Sequence, residues 1–375
     1  MPQDDRQELK YQIALTMAPA IGPVNARKLI GEAGSASGVF RKSRASLEKI
    51  EGIGPFLSQS IRFPRLMEQA EKELEFIERH KIRALYFKDP DYPARLKECE
   101  DAPILLYCKG SEGLNSRRAL SVVGTRKASS YGKELCRNIV LELGSMISDL
   151  VIVSGLAYGI DVIAHRAALE GEIPTVAVLG HGLRTLYPNA HRETAKKICQ
   201  QGALVTDFHS GMGPERNNFL RRNRIIAGMT DATLVVESAA SGGALITADM
   251  AFSYQRDVLA VPGRATDERS LGCNRLIKLD MAAMVESAED VIMHLRWTED
   301  LSQNKSPRSR VISLTKQERE LLELMSLQGG LGPGELSKLS GIPIQEVLSL
   351  LTQMELKRWI SMEPGNIYQS TMDLS

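Results

Sequence analysis

Aromatic residues make up only 5% of this chain, so any binding surface it carries leans on charge more than on stacked rings. Its six histidines are scattered. The five cysteines (Cys99, Cys108, Cys136, Cys199, Cys273) form no C-x-x-C pair, and none sits beside histidine at ligand spacing. A zinc centre is therefore not expected, and the cysteines read as reduced and mostly buried. No apolar run approaches the roughly 20 residues that span a bilayer. The segment Met1–Asp5 is acidic and polar rather than a signal peptide, so a cytoplasmic location is the expectation. Net charge is only +1, so a surface for nucleic acid must be local. The chain has no G-x-x-x-x-G-K-[ST] segment, which excludes P-loop ATP hydrolysis. It also lacks G-x-G-x-x-G, and no acid closes the second strand to hold a ribose, which argues against a dinucleotide site. A G-x-S-x-G elbow is absent too. No cofactor and no metal are expected.

What is present is a series of short β-branched runs between residues 121 and 274, most ending in a small-residue turn that opens a helix. They include Ser121–Arg126, Val151–Gly155, Val176–Gly180, Thr233–Glu237 and Val258–Gly263. The strands are continuous apolar runs, as expected when helices cover both faces of a sheet. Alternation with helical patterns gives an α/β class with a parallel, doubly wound sheet. Strand, turn and helix start together place backbone N–H groups and a positive helix end at one sheet edge, which suits phosphate.

With 375 residues and 43% hydrophobic content, two or three domains are expected. Residues 1–70 read as a helical domain. In it, Ile21-Gly-Pro23 and Ile53-Gly-Pro55 repeat a turn of helix-hairpin-helix type. Such a glycine turn either offers N–H groups to a DNA phosphate or simply separates two helices. Residues 71–118 read as a connector and 119–296 as the α/β domain. A polar, basic linker spans 297–312, and 313–375 has the three helices and hairpin of a winged helix. The third of those helices, from Ile344 to Met354, carries Glu346 and no Lys or Arg, which favours protein contact over DNA reading there.

Several turns carry candidate chemistry. Gly124-Thr125-Arg126 combines a tight turn, a hydroxyl and a bidentate fork. Ser154 and Gly155 admit a close ligand, while Asp161 suits the first turn of the next helix. Arg184 and Arg192 lie near the sheet edge, whereas Lys196 and Lys197 read as a solvated face. Residues 216–224 collect Arg216, Arg221, Arg222 and Arg224 against the single acid Glu215. Arg221 and Arg224 are three apart and share a helix face. Phe219 can stack a base, and Asn223 lies within the same run. Arg224 either faces a ligand or pairs with a carboxylate inside the fold. Gly242 and Gly243 open a further helix N-terminus.

Taken in order, these motifs resemble the bacterial DNA-processing protein A family, DprA or Smf. They are Val-Gly-Thr-Arg126, Ser154-Gly-x-Ala-x-Gly-Ile-Asp161, Tyr187-Pro188, Arg222-Asn-Arg-Ile-Ile-Ala227, Ser241-Gly-Gly243, Val261-Pro-Gly263 and Gly272-Cys-Asn274. The resemblance implies an extended Rossmann-like central domain with helix-hairpin-helix or SAM-like and winged-helix flanks. It also implies single-stranded DNA held in a basic pocket, dimerisation, and loading of the RecA recombinase during natural transformation and recombination, with no enzymatic role. The family's arginine falls on Arg126, and its basic position after the Tyr-Pro turn falls near His191 and Arg192. Phe219-Leu220 departs from the family's Phe-Pro, and Arg221 is an addition. Two rival readings stand beside this one. One is a nucleoside-phosphate hydrolase, loosely imitated by Gly242-Gly243 and Asp249. The other is a recombinase-binding scaffold.

Overall fold

The computed structural model describes residues 3–110, 113–298, 315–328, 330–356, 359–363 and 366–370. They fall into two compact units, Met1–Lys305 and Ser306–Ser375. The first unit begins with helices α1 (Gln3–Met17), α2 (Pro23–Ala33), α3 (Ala36–Arg41), α4 (Arg44–Leu47), α5 (Pro55–Ser60) and α6 (Leu66–Arg79). Both Ile-Gly-Pro turns start a helix. Gly22 and Gly54 are extended N-cap residues, and Pro23 and Pro55 open α2 and α5 with their fixed φ.

The sheet of this unit has nine strands: β1 (Arg83–Tyr86), β2 (Leu105–Gly110), β3 (Arg118–Val123), β4 (Leu150–Ser154), β5 (Thr175–Val178), β6 (Ala203–Thr206), β7 (Ala232–Val235), β8 (Asp257–Ala260) and β9 (Ala283–Met284). Their order is β1-β2-β6-β5-β4-β3-β7-β8-β9. Strands β3 to β9 run parallel, and the winding reverses between β3 and β7. The doubly wound sheet expected from the apolar runs is therefore present. It is extended at one edge by antiparallel β1 and β2. The stretch 71–118, read from the sequence as a connector, thus supplies the end of α6 and two strands of the main sheet. Short runs such as Arg83–Tyr86 carry too little periodicity to declare themselves.

Helices cover both faces: α8 (Ser130–Met146), α9 (Ile160–Glu170), α10 (Arg192–Gln201), α11 (Arg216–Gly228), α12 (Gly243–Ser253), α13 (Leu271–Lys278) and α14 (Ala288–His294), with a short α7 (Ala94–Lys97) ahead of β2. Alternation along each strand divides the core. Val123, Val153, Val178 and Val235 pack with α11 and α12, while Leu120, Val122, Ile152 and Leu234 pack with α8 and α9. A third core joins the N-terminal helices to Tyr86, Leu105 and Tyr107, so those helices cover the added edge of the sheet. Trp297 closes the second core. The rest of the basic linker, from 299 onward, lies outside the described residues.

The second unit holds helices Lys316–Gln328, Pro333–Ser340 and Ile344–Leu356, with strands Ile360–Glu363 and Ile367–Ser370 paired antiparallel. This is a winged helix. Thr315 caps its first helix: its hydroxyl accepts from the Glu318 N–H, and Glu318 accepts in return from the Thr315 N–H. No helix among the described residues is long and apolar enough to cross a membrane.

Candidate nucleic-acid interface

The C-terminal ends of the parallel strands carry an exposed group of rings and cations. Arg126 follows β3 in a turn that the protein holds itself. The Thr125 N–H donates to the Glu237 carbonyl at 2.7 Å, and the Thr125 hydroxyl accepts from the Lys127 N–H at 3.2 Å. Gly124 is required here, because a Cβ would run into the Ile160 side chain. Arg126 is exposed, and its guanidinium carbon stands 5.9 Å from the centroid of Phe219, at the start of α11. Tyr187 adds a second ring 5.7 Å from Phe219 and is itself exposed. Exposed Tyr158 lies edge-on to His191 at 4.9 Å. Gly159, at φ +79°, packs its backbone on Thr125 and Arg126, so the Tyr158 loop abuts the arginine turn.

Six cations line this edge: Arg126, Lys127, Arg184, Arg192, Arg216 and Arg221 are all exposed. Among the described residues none of them is in an ion pair. Arg184 stands 5.2 Å over the Phe76 ring and donates to the Ser210 hydroxyl at 3.5 Å. Ser210 is in turn held by the buried carboxylate of Glu73, on α6, which accepts from its N–H at 2.8 Å and its hydroxyl at 2.5 Å. The N-terminal helices therefore place one of the edge cations. Nothing in the sequence around Glu73 signals this, because its partner is 137 residues away. Arg221 lies 5.3 Å over Phe208. Acids near these cations include Glu215, at the N-cap of α11, exposed Glu193, bridged to Lys196, and buried Asp161, whose carboxylate feels the charge of Arg126.

Four of the expected contacts are withdrawn from the surface. Ser154 is fully buried, and its hydroxyl donates to the Val122 carbonyl at 2.6 Å. Gly155 is buried because the Arg222 guanidinium occupies the space its side chain would take. Asn223 is buried and accepts from Arg222. Arg224 pairs inside the fold with Asp207 and donates to the Asp101 carbonyl, so of its two possible roles the internal one holds. A guanidinium beside a hydrophobic Ile225-Ile226 pair is covered when the loop after β6 brings a carboxylate to it. Gly242 and Gly243 start α12, beyond Glu237 and across the winding reversal from Phe219.

The interior behind this edge is charged. Arg222 donates to the carbonyls of Gly155 and Val178, with Asp161 as its opposing charge. Burial lowers the Arg222 pKa to about 10 and raises that of Asp161. His165 is fully buried with Nδ1 2.7 Å from the Thr175 hydroxyl, and burial pushes it down to about 3. His191 is buried as well, with Nδ1 2.8 Å from the Leu156 carbonyl, so of the two residues after the Tyr-Pro turn only Arg192 faces out. Glu237 is the carboxylate the sequence did not place. It accepts from the Ser129 N–H at 2.9 Å and hydroxyl at 2.5 Å, filling the N-terminus of α8. That helix start is therefore closed to an outside anion. The open part of the edge is the Arg126–Phe219–Tyr187 side.

The family model for DNA recombination-mediator protein A matches residues 83–296, and that for the DprA winged helix domain matches 305–366. Protein Smf of Escherichia coli is 33% identical over 338 residues, covering 87% of this chain and 88% of that protein. DNA processing protein DprA of Streptococcus pneumoniae is 38% identical over 209 residues, 56% of this chain and 73% of the relative. Its X-ray structure superposes with a TM-score of 0.65 at 30% identity, over 76% of this chain and 97% of that one. A structure of DNA processing protein A from Helicobacter pylori, described for its single-stranded DNA binding mode, gives 0.52 at 26% identity over 58% and 97%. The matched span takes in the whole parallel sheet and every turn at its C-terminal edge; this chain belongs to the DNA recombination-mediator protein A family.

Proposed function

We propose that the chain binds single-stranded DNA along the Arg126–Phe219 edge, dimerises, and delivers the strand to the RecA recombinase in natural transformation and homologous recombination. It acts as a binder and carries out no reaction on the strand. The observation that carries this is the exposed Arg126 over Phe219, with Tyr187 alongside and five further exposed cations on the same edge. Guanidinium groups suit phosphate oxygens, and rings accept any unpaired base, so the site grips a strand without reading it. A duplex hides the base faces that Phe219 and Tyr187 would meet. The RecA and dimer parts rest on the family and on the name of its mediator role.

A gel-shift comparison of single- and double-stranded oligonucleotides, with the full chain and its Arg126→Glu variant, tests the binding step. Preference for the single strand, lost in a variant with an unchanged unfolding transition, supports it. Equal binding by a well-folded variant removes Arg126 from the site. Acceleration of RecA filament formation on a strand already coated by a single-strand-binding protein tests the delivery step.

A further inference from the structure

We infer that the groove between α10 and the loop after β5 is a second contact for the same strand, taking an unpaired base on its apolar floor and the adjoining phosphates on its rim. This rests on the single-strand reading above. The groove encloses about 670 Å³, within the range of about 300–1,000 Å³ typical of small-ligand pockets. Leu179, Leu183, Leu186 and Leu204 form the floor. Lys109, Arg184, Arg192 and Lys196 line it, and no carboxylate does. Lys196 is bridged to Glu193, but both side chains are exposed, and such a pair yields readily to another anion.

The four leucines and four cations together specify the guest. A bare phosphate has no use for the floor, and an apolar peptide has none for four cations. A nucleotide unit presents a flat, weakly polar base beside an anion. The neighbouring groove between α9 and α10 makes the contrast: Glu170, Glu172 and Glu193 line it beside Arg166 and Lys197, so its lining is of mixed charge and lacks the all-cationic rim. Continuity supplies the direction. Arg184 and Arg192 belong to both the edge and the groove, so a strand leaving the Arg126–Phe219 side meets the groove next.

Cys199 makes the proposal testable without mutation. It lines the groove and is half-buried, whereas the other four cysteines are buried. Alkylation of Cys199 in the full chain, followed by peptide mapping, is measured with no DNA, with a short oligo-dT, with a long oligo-dT, and with a long strand abasic toward one end or the other. Protection by the long strand alone, weaker when the groove-facing end is abasic, is the expected result. In Lys109→Glu the affinity for the long strand drops several-fold toward that for the short one, as the loss of one phosphate contact requires. Unchanged Cys199 reactivity under saturating long oligo-dT overturns the groove proposal and leaves the Arg126 site standing. Equal protection by abasic strands overturns the base-holding part. If Arg126→Glu still binds and protects, the edge reading fails instead.

Discussion

Arg126 and Phe219 come from separate crossovers of the sheet, yet the guanidinium carbon of one stands 5.9 Å from the ring centroid of the other. The arginine turn follows β3, and the ring opens α11 after β6. Their meeting converts two short motifs into one platform with a charged rim. Phe219→Ala removes the ring and leaves the cations. Loss of one base stack costs about 1–3 kcal/mol of strand affinity. A titration with labelled oligo-dT should show that loss, with the fold intact by thermal unfolding. Wild-type affinity in the variant would mean that bases do not touch this ring.

Glu237 gives a second expectation. Its carboxylate fills the start of α8 through the Ser129 N–H and hydroxyl. Glu237→Ala should cost about 1.5–3 kcal/mol, as expected for hydrogen bonds to a charged group. The vacated helix start should then hold an anion. Added sulfate should raise the unfolding temperature of the variant more than that of the wild type. An equal rise in both, the general salting-out response, would show that the position does not bind anions.

His165 gives a pH expectation. Burial holds its folded pKa near 3 against an unfolded 6.5, so between those values the unfolded chain binds the extra proton. Its contribution to stability is complete above about pH 6.5 and is lost as pH falls toward 3, by up to about 1.4 kcal/mol per unit. Denaturant titrations at pH 7 and pH 5 should show wild type losing more stability than His165→Gln. The same loss in both would place the acid sensitivity in other groups.

Much of this was legible in the sequence because burial on both faces writes itself as unbroken apolar runs. The runs at 121–123, 151–154 and 176–178 are strands for that reason, and the Gly124 turn follows from the winding. Arg126 and Phe219 were readable as a cation and a ring at one edge. Their contact was not, since it depends on how α11 enters after the loop at 207–215. The same limit explains Arg222 and Arg224. A run of four arginines reads as a basic surface, but Arg222 is spent on the carbonyls of Gly155 and Val178, and Arg224 on Asp207. Partners supplied by distant turns leave no trace in local spacing. Glu237 and Glu73 went unplaced for the same reason. Strand β1 escaped because an edge strand of four residues has no period to reveal, whereas the apolar run Ile104–Cys108 reads as strand-like and forms most of β2.

The most direct test is the salt dependence of oligo-dT binding by the full chain, beside a duplex of equal length. Six exposed cations contacting phosphates give a slope of log affinity on log salt of about −4, at about −0.7 for each contact on a single strand. Arg126→Glu should make that slope shallower by about 0.7, the share of one contact, and the duplex should bind more weakly throughout. A slope near zero, or equal affinity for duplex and single strand, would contradict a phosphate-gripping edge centred on Arg126.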